Sequence, residues 1–399
     1  MFMKKYATGK GYITLWALLG IWSVSALTSL PGLAISPISD KLSLIFPGAS
    51  ELDIQLLTTL PSLLIIPFIL FAGYISERVG YIKLLYSGLL LFLASGILYF
   101  FCTGIKELIA VSALLGVGAG IIIPLSTALV SRFFAGEKKT RQFGYVSAVT
   151  NLALVVATAV TGWLADIEWK LPFLVYLLPI FSLLLVPEIQ RCGSDIKDDA
   201  GDSREQQARS VEYRRLLGYM LYYLLITYLV MAVSINLPFL LGKYGYDSGV
   251  VGVVTALFFL AMMLPGLFIN RILAFLKNRV LMFSLLLIGL GLLDIYLNRS
   301  VLFIVIGCVA AGFGYGIAQP YIYDTASAMA PLNKVTAVFA WVMTMNYVAI
   351  VIAPFVVEFF QWMFGSKSDS FPFILNAVLS FVVLVLLFFR YKYKIPYKL

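Results

Sequence analysis

The sequence predicts an all-α membrane protein of twelve transmembrane helices in two pseudo-symmetric six-helix bundles, and three observations predict it. The first is composition. Of 399 residues, 61% are hydrophobic and only 12% are charged, against roughly 45–50% and about 25% in soluble domains. A soluble protein must keep a charged, solvated skin, so a soluble enzyme is excluded and a bilayer is the solvent that fits. The mean hydropathy of +0.96 agrees. The second is the number of apolar runs close to the ~20 residues that cross a bilayer. They fall at 12–34, 52–73, 84–102, 108–130, 143–163 and 172–188, then at 216–240, 249–269, 280–297, 301–324, 335–357 and 371–389. The third is an internal repeat relating the two sets of six.

Each element has its own warrant. The first run follows MFMKKYATGK and resembles a signal peptide, but Tyr12 to Ala34 is too long for an h-region and eleven spans follow, so it reads as a retained membrane helix. Residues 35–51 form a half-apolar connection to the second span. Short charged or turn-forming segments part the remaining spans, except at 189–215, where CGSDIKDDAGDSREQQARS reads as a solvated connector. The expected domains are therefore 1–188, a linker at 189–215, and 216–399. An even number of spans puts both ends on one side. With the N-terminus inside, cytoplasmic segments hold 23 Lys and Arg and outer loops hold 6, the asymmetry of the positive-inside rule. That distribution accounts for the net charge of +9 without nucleic acid. No His and three scattered Cys (Cys102, Cys192, Cys308) leave no zinc set, no disulfide framework and no His-based catalysis. No enzyme, metal or cofactor is expected.

The repeat is carried by punctuation residues. Gly116-x-Gly118-x-Gly120-x-x-x-Pro124 in the fourth span recurs as Gly312-x-Gly314-x-Gly316-x-x-x-Pro320 in the tenth, and Lys138 and Lys334 keep the same spacing. Gly73 with Arg78 is echoed by Gly266 with Arg271, and Leu30-Pro31 by Leu237-Pro238. Parallel six-helix repeats with a midplane site between halves are a transporter architecture. Glycines inside membrane helices read as close helix packing and not as a nucleotide loop. Pro124 and Pro320 are the expected hinges.

The loop after the second span reads Gly73-Tyr-Ile-Ser-Glu77-Arg78-Val-Gly80-Tyr-Ile-Lys83. It resembles the G-x-x-x-[DE]-R-x-G-x-x-[RK] motif between helices two and three of the major facilitator superfamily, and Gly144 to Pro172 is similar to that superfamily's fifth helix and following loop. The resemblance implies the major facilitator fold, alternating access, and a gating role for Gly73, Glu77, Arg78, Gly80 and Lys83. It also implies that Glu77 faces the N-terminal end of helix eleven, where a helix dipole favours an anion. The drug-efflux branch comes nearest, with a degenerate antiporter motif: of its helix-five glycines only Gly162 remains, and Arg132 lies at the end of helix four instead of within it.

Ionisable groups inside a membrane are expensive and functional by default. Asp324, after Gln319-Pro320-Tyr321-Ile322-Tyr323, is the leading proton-coupling candidate; its alternative is a residue marking a helix end in water. Asp294, beside Asn298 and Arg299, and Asp53, at the outer start of span two, are the others. Asp294 has the alternative of pairing with Arg299, and Asp53 that of a solvated loop charge. No Lys or Arg falls mid-span, which disfavours anionic substrates. The substrate-binding candidates are Trp22, Ser25, Gln55, Thr59, Asn151, Tyr223, Thr227, Asn236, Gln319, Tyr323, Trp341 and Asn346. Aromatic faces with a few amides and hydroxyls suit an amphipathic ligand. The expected function is proton-coupled export of amphipathic small molecules by a monomer in a bacterial plasma membrane, both termini cytoplasmic. Its alternatives are uptake of a neutral nutrient and translocation of a lipid.

Overall fold

The computed structural model describes residues 5–31, 34–35, 38, 42, 45–195, 211–366 and 368–392, the side chains of 51, 52, 55, 58, 194, 195, 248 and 390–392 excepted. The chain is helical, with one two-stranded ribbon in which β1 (Lys5–Ala7) runs antiparallel to β2 (Tyr12–Thr14). Helices corresponding to the twelve spans follow: α1 (Leu15–Leu27), α2 (Glu51–Val79), α3 (Tyr81–Phe101), α4 (Ile105–Phe133), α5 (Gly136–Ile167) and α6 (Pro179–Asp195). Then come α7 (Tyr213–Lys243), α8 (Ser248–Leu267), α9 (Val280–Leu297), α10 (Val301–Ala328), α11 (Val335–Met363) and α12 (Phe371–Lys392). Short helical pieces at Leu171–Leu177 and Ile269–Leu276 precede α6 and α9. Among the described residues, eleven helices are long and apolar enough to cross a membrane.

The first span departs from expectation. A helix over 12–34 is replaced by the 13 residues of α1, because Tyr12–Thr14 is taken by β2 and the Thr14 hydroxyl accepts the Ala17 N–H as an N-cap. Most other helices run past their apolar cores. Thus α5 starts at Gly136 and carries Lys138, Lys139 and Arg141 in its first turns, since hydropathy finds the hydrocarbon segment and the helix continues into the interface. Pro172 and Pro179 delay α6, leaving a 3-10 stretch before it.

The chain packs as two compact units: Met1–Gln142, Val149–Val211 and Ala326–Tyr347 in the first, Phe143–Ala148, Glu212–Thr325 and Val348–Leu399 in the second. In the first unit α4 is the core helix, lying against α2 on one face and α3 on the other. Its glycines make this possible. A β-carbon added at Gly116 would lie 2.6 Å from the Pro61 carbonyl oxygen, at Gly120 2.7 Å from Phe68 Cβ, and at Gly118 2.7 Å from the Phe92 nitrogen. Alternate glycines thus open opposite faces of α4. The ribbon sits at this helix's end, where Lys10 Nζ donates to the carbonyls of Ser131 (2.9 Å) and Arg132 (3.2 Å). A lysine there satisfies orphan carbonyls and complements the negative end of the dipole.

The second unit repeats the construction around α10. A β-carbon at Gly312 would lie 2.6 Å from the Phe258 carbonyl oxygen and at Gly314 2.8 Å from that of Ser284, while Gly316 abuts Met262. Two glycines therefore face α8 and the one between them faces α9, as their counterparts face α2 and α3. Here α9 also packs on α12, where the Ser380 hydroxyl donates to the Leu285 carbonyl at 2.8 Å.

Candidate functional site

A polar cluster in the second unit joins α5, α7 and α10. The spacing of Tyr315, Gln319 and Tyr323 places them four residues apart, one above another on α10. Tyr223 of α7 faces them, and Ser147 of α5 closes the set. The Ser147 hydroxyl donates to Gln319 Oε1 at 2.6 Å. The Gln319 amide nitrogen donates to Tyr223 (3.2 Å) and Tyr323 (3.0 Å). The two tyrosine oxygens lie 2.7 Å apart, and the Tyr315 hydroxyl donates to Tyr223 at 3.4 Å. The Gln319 amide is placed with Nε2 toward the two tyrosines and Oε1 toward Ser147. Tyr223 is 1% and Tyr323 5% exposed, so the bonds lie in a low-dielectric setting where leaving them unmade is costly. Phe143 packs edge-on against Tyr323 with centroids 6.0 Å apart. Beneath it, Gly144 and Gly266 bring the backbones of α5 and α8 into direct contact.

Three sequence-predicted residues, Tyr223, Gln319 and Tyr323, thus come together. Tyr315 and Ser147 were not among the candidates. The four-residue spacing from Gln319 marks Tyr315, whereas Ser147 has no signal of its own beyond preceding Asn151 by one turn. Thr227 is buried one turn along from Tyr223 on α7. Asn236 spends its amide on the Ala232 carbonyl of its own helix, at 3.1 Å. Asp324 follows Tyr323 on α10 and is half-buried. Asp294 is also half-buried; its Oδ1 accepts from Asn298 Nδ2 at 2.6 Å, and its Oδ2 is buried without a hydrogen-bond partner.

The other candidates belong to the first unit. Trp22 donates its ring N–H to Gln142 at 3.0 Å. The Ser25 hydroxyl donates to the Ile21 carbonyl, and the Ser25 carbonyl accepts from Thr150 at 3.2 Å, tying α1 to α5. Asn151 is buried, Trp341 and Asn346 are half-buried, and Thr59 is exposed. The Gln55 side chain lies outside the described residues. Asp53 is the third residue of a capping box on α2, its carboxylate accepting from the Ser50 N–H (2.9 Å) and hydroxyl (2.8 Å). Those two bonds, backbone first, hold its carboxyl below the usual carboxylate range. Capping accounts for its position.

The glycine-acid-arginine motif closes α2. A β-carbon at Gly73 would lie 2.5 Å from Ala340 Cβ and 3.2 Å from Ala337 Cα of α11. Gly80 has φ +88°, a conformation that favours glycine and allows the turn into α3. Glu77 and Arg78 are exposed, and the Arg78 guanidinium bonds to Tyr74 one turn back at 2.5 Å. Because Glu77 is one turn beyond Gly73, its register on α2 is with the first turns of α11. Arg132, at the end of α4, stacks on the Tyr81 ring (4.4 Å) and donates to Thr336 at 3.3 Å. Pro124 and Pro320 are buried within helices that continue through them. In both, the residue four earlier is the last glycine of the seam, Gly120 or Gly316, so the carbonyl the proline leaves free belongs to the glycine pressed against α2 or α8.

Comparison with known proteins accords with this architecture. The family model "Major Facilitator Superfamily" matches residues 17–354 and 215–398. The multidrug transporter protein MdtP of Bacillus subtilis is 29% identical over 107 residues, covering 27% of this chain and 20% of that protein. The quinolone resistance protein NorA of Staphylococcus aureus is 26% identical over 129 residues, 32% of each. The matches thus span a third or less of these relatives. Among solved structures, the proton:xylose symporter XylE superposes with a TM-score of 0.73 at 13% identity, covering 94% of this chain and 95% of that one. The human organic anion transporter MFSD10 gives 0.71 at 16%, covering 92% and 98%. Both likenesses are of fold. With a family match running through both repeats, the chain belongs to the major facilitator superfamily, whose members are secondary transporters and not enzymes.

Proposed function

We propose that the protein exports amphipathic small molecules across a bacterial plasma membrane in exchange for protons, with both termini cytoplasmic. The observation that carries this reading is the cluster of Tyr223, Tyr315, Gln319, Tyr323 and Ser147: aromatic, neutral and hydrogen-bonded, with no lysine or arginine among its members. Such a surface holds an apolar body by its ring faces and a polar group by exchange of an internal hydrogen bond for one to the ligand. The partial likeness to two drug-resistance proteins supports the direction of transport, and the basic asymmetry of 23 against 6 supports the topology.

Asp324 is the proton carrier in this scheme. It adjoins Tyr323 on the same helix, so its carboxylate meets water when the site is open and loses it when the site closes, the condition under which a carboxyl takes up a proton. Proton entry at Asp324 and substrate release then belong to one outward step, and proton loss to the cytoplasm resets the carrier. Gly73, Glu77, Arg78, Gly80 and Lys83 with the first turns of α11 act as the gate, and Pro124 and Pro320 as paired hinges. The halves 1–188 and 216–399, joined by 189–215, are the moving parts of alternating access.

The test uses inside-out vesicles energised to an acid interior, with lipophilic cations, neutral amphiphiles and nutrients added in turn. A lipophilic compound is expected to dissipate the gradient in wild type and not in Asp324→Asn, which still exchanges substrate without a gradient. If nothing moves protons, or Asp324→Asn behaves as wild type, proton-coupled export through Asp324 is wrong, and nutrient uptake or lipid movement takes its place.

A further inference from the structure

We propose that a groove on the first unit, between α5, α1 and the helical turns before α6, binds one acyl chain of a bilayer lipid. The cavity has a volume of about 590 Å³ and only apolar residues line it. Its long wall is α5, from Val149 to Leu164, residues at three- and four-residue spacing that form one face of the helix. Ala153 and Ala157 make the floor by being small, and Leu30 and Leu174 close the sides. The mouth is open: Leu152 is 44% and Val156 52% exposed, whereas Ala157 inside is 6% exposed.

The occupant follows by elimination. Water has no polar partner in this lining, and an ordered water needs two to four. An empty groove would forfeit dispersion contacts along its length. An amphipathic substrate needs convergent polar groups to orient it, and none lines the cavity. An alkyl chain needs none. The sixteen residues from Val149 to Leu164 span roughly 22 Å at helical rise, within the ~30 Å hydrocarbon core, which accommodates a complete acyl chain. The Leu164 end of the groove lies next to the connection bearing Trp169 and Lys170, where Lys170 Nζ lies 5.1 Å from the indole ring and donates to the Phe100 carbonyl at 3.1 Å. An aromatic and a basic residue together mark a membrane–water interface, so the headgroup belongs at this end. On the topology proposed above, the lipid is from the outer leaflet. The tyrosine cluster is in the second unit, and this site stands independently of the export reading.

The test is photolabelling of the full-length protein in phosphatidylcholine vesicles doped with a phosphatidylcholine carrying a diazirine in one acyl chain, with labelled residues mapped by mass spectrometry and no ion gradient applied. Label is expected at Ala157, which lipid around the protein reaches only through the groove, as well as at Leu184, 71% exposed on α6. Filling the groove with Ala153→Phe, or with the smaller Ala153→Leu should the first not fold, is expected to lower label at Ala157 at least fivefold and leave Leu184 unchanged. The proposal is overturned if Ala157 takes no more label than buried Val186 of α6, or if both variants label as wild type. It is overturned equally if tetraphenylphosphonium displaces the label, since the groove would then belong to a transported cation.

Discussion

Tyr223 holds one end of the second unit's polar cluster through a single oxygen. It accepts from Gln319 and Tyr315, which leaves its own proton for Tyr323. Gln319 is the other branch point, giving both amide hydrogens to tyrosines while receiving the Ser147 hydroxyl. These positions are unequal, so their removal separates their roles. Gln319→Leu removes three hydrogen bonds and is expected to cost about 2–3 kcal/mol of stability, Tyr223→Phe about 1–2, and Tyr315→Phe, which loses a 3.4 Å bond to Tyr223, less than either. Thermal unfolding of the purified protein measures the order; a Tyr315→Phe loss as large as that of Gln319→Leu would remove the branch-point account. Three of the five members of this cluster were legible in the sequence, since polar and aromatic side chains on cavity-type helices stand out from an apolar run. Ser147 was not, because a serine in an apolar helix acquires meaning only from the helix that crosses it.

At the scale of the element, the seams of α4 and α10 show what a repeated glycine pattern is for. Spacing by two on a helix sends consecutive members to different faces, and the faces here meet two different neighbours. A methyl group at Gly116 or Gly312 has carbonyl oxygens at 2.6 Å, where a real β-carbon is not accommodated without moving a helix. Gly162 on α5, by contrast, has nothing within 4 Å. Alanine at Gly116 or Gly312 is therefore expected to destabilise by about 1–3 kcal/mol, whereas Gly162→Ala should be neutral or gain up to about 1 kcal/mol of helix propensity. Denaturation midpoints of the three variants decide it; equal effects at all three would mean that close approach is not why the glycines are there. The same pattern was visible in sequence as a repeat, but which neighbours it served was not, since nothing local states what a helix face will meet. The ribbon is silent in the sequence for a related reason. Three-residue strands carry no periodicity, and Gly9 and Gly11 were the only turn signal between them.

For the molecule as a whole, composition and charge placement say more than any motif, because each loop position adds to one total. Twenty-three basic residues assigned to one face and six to the other predict an orientation that no single loop could. The folded units add a convenience for testing it: Cys102, Cys192 and Cys308 are all buried, so a new surface cysteine is read against a quiet background. Lys106, in the first turn of α4, and Asn278, between α8 and α9, are both exposed. In intact cells a membrane-impermeant maleimide is expected to label Lys106→Cys and to reach Asn278→Cys only after permeabilisation. The pair is informative because the two loops occupy opposite parities in the span count. A miscount of spans before α4, such as a missing first one, would shift both sites together, and the labelling would reverse. The shortness of α1, 13 residues where about 20 are needed, makes this the sharper question: if α1 with the segment after it fails to cross, Lys106→Cys stays dark in intact cells while Asn278→Cys reacts, and the proposed proton path must then run in the opposite direction.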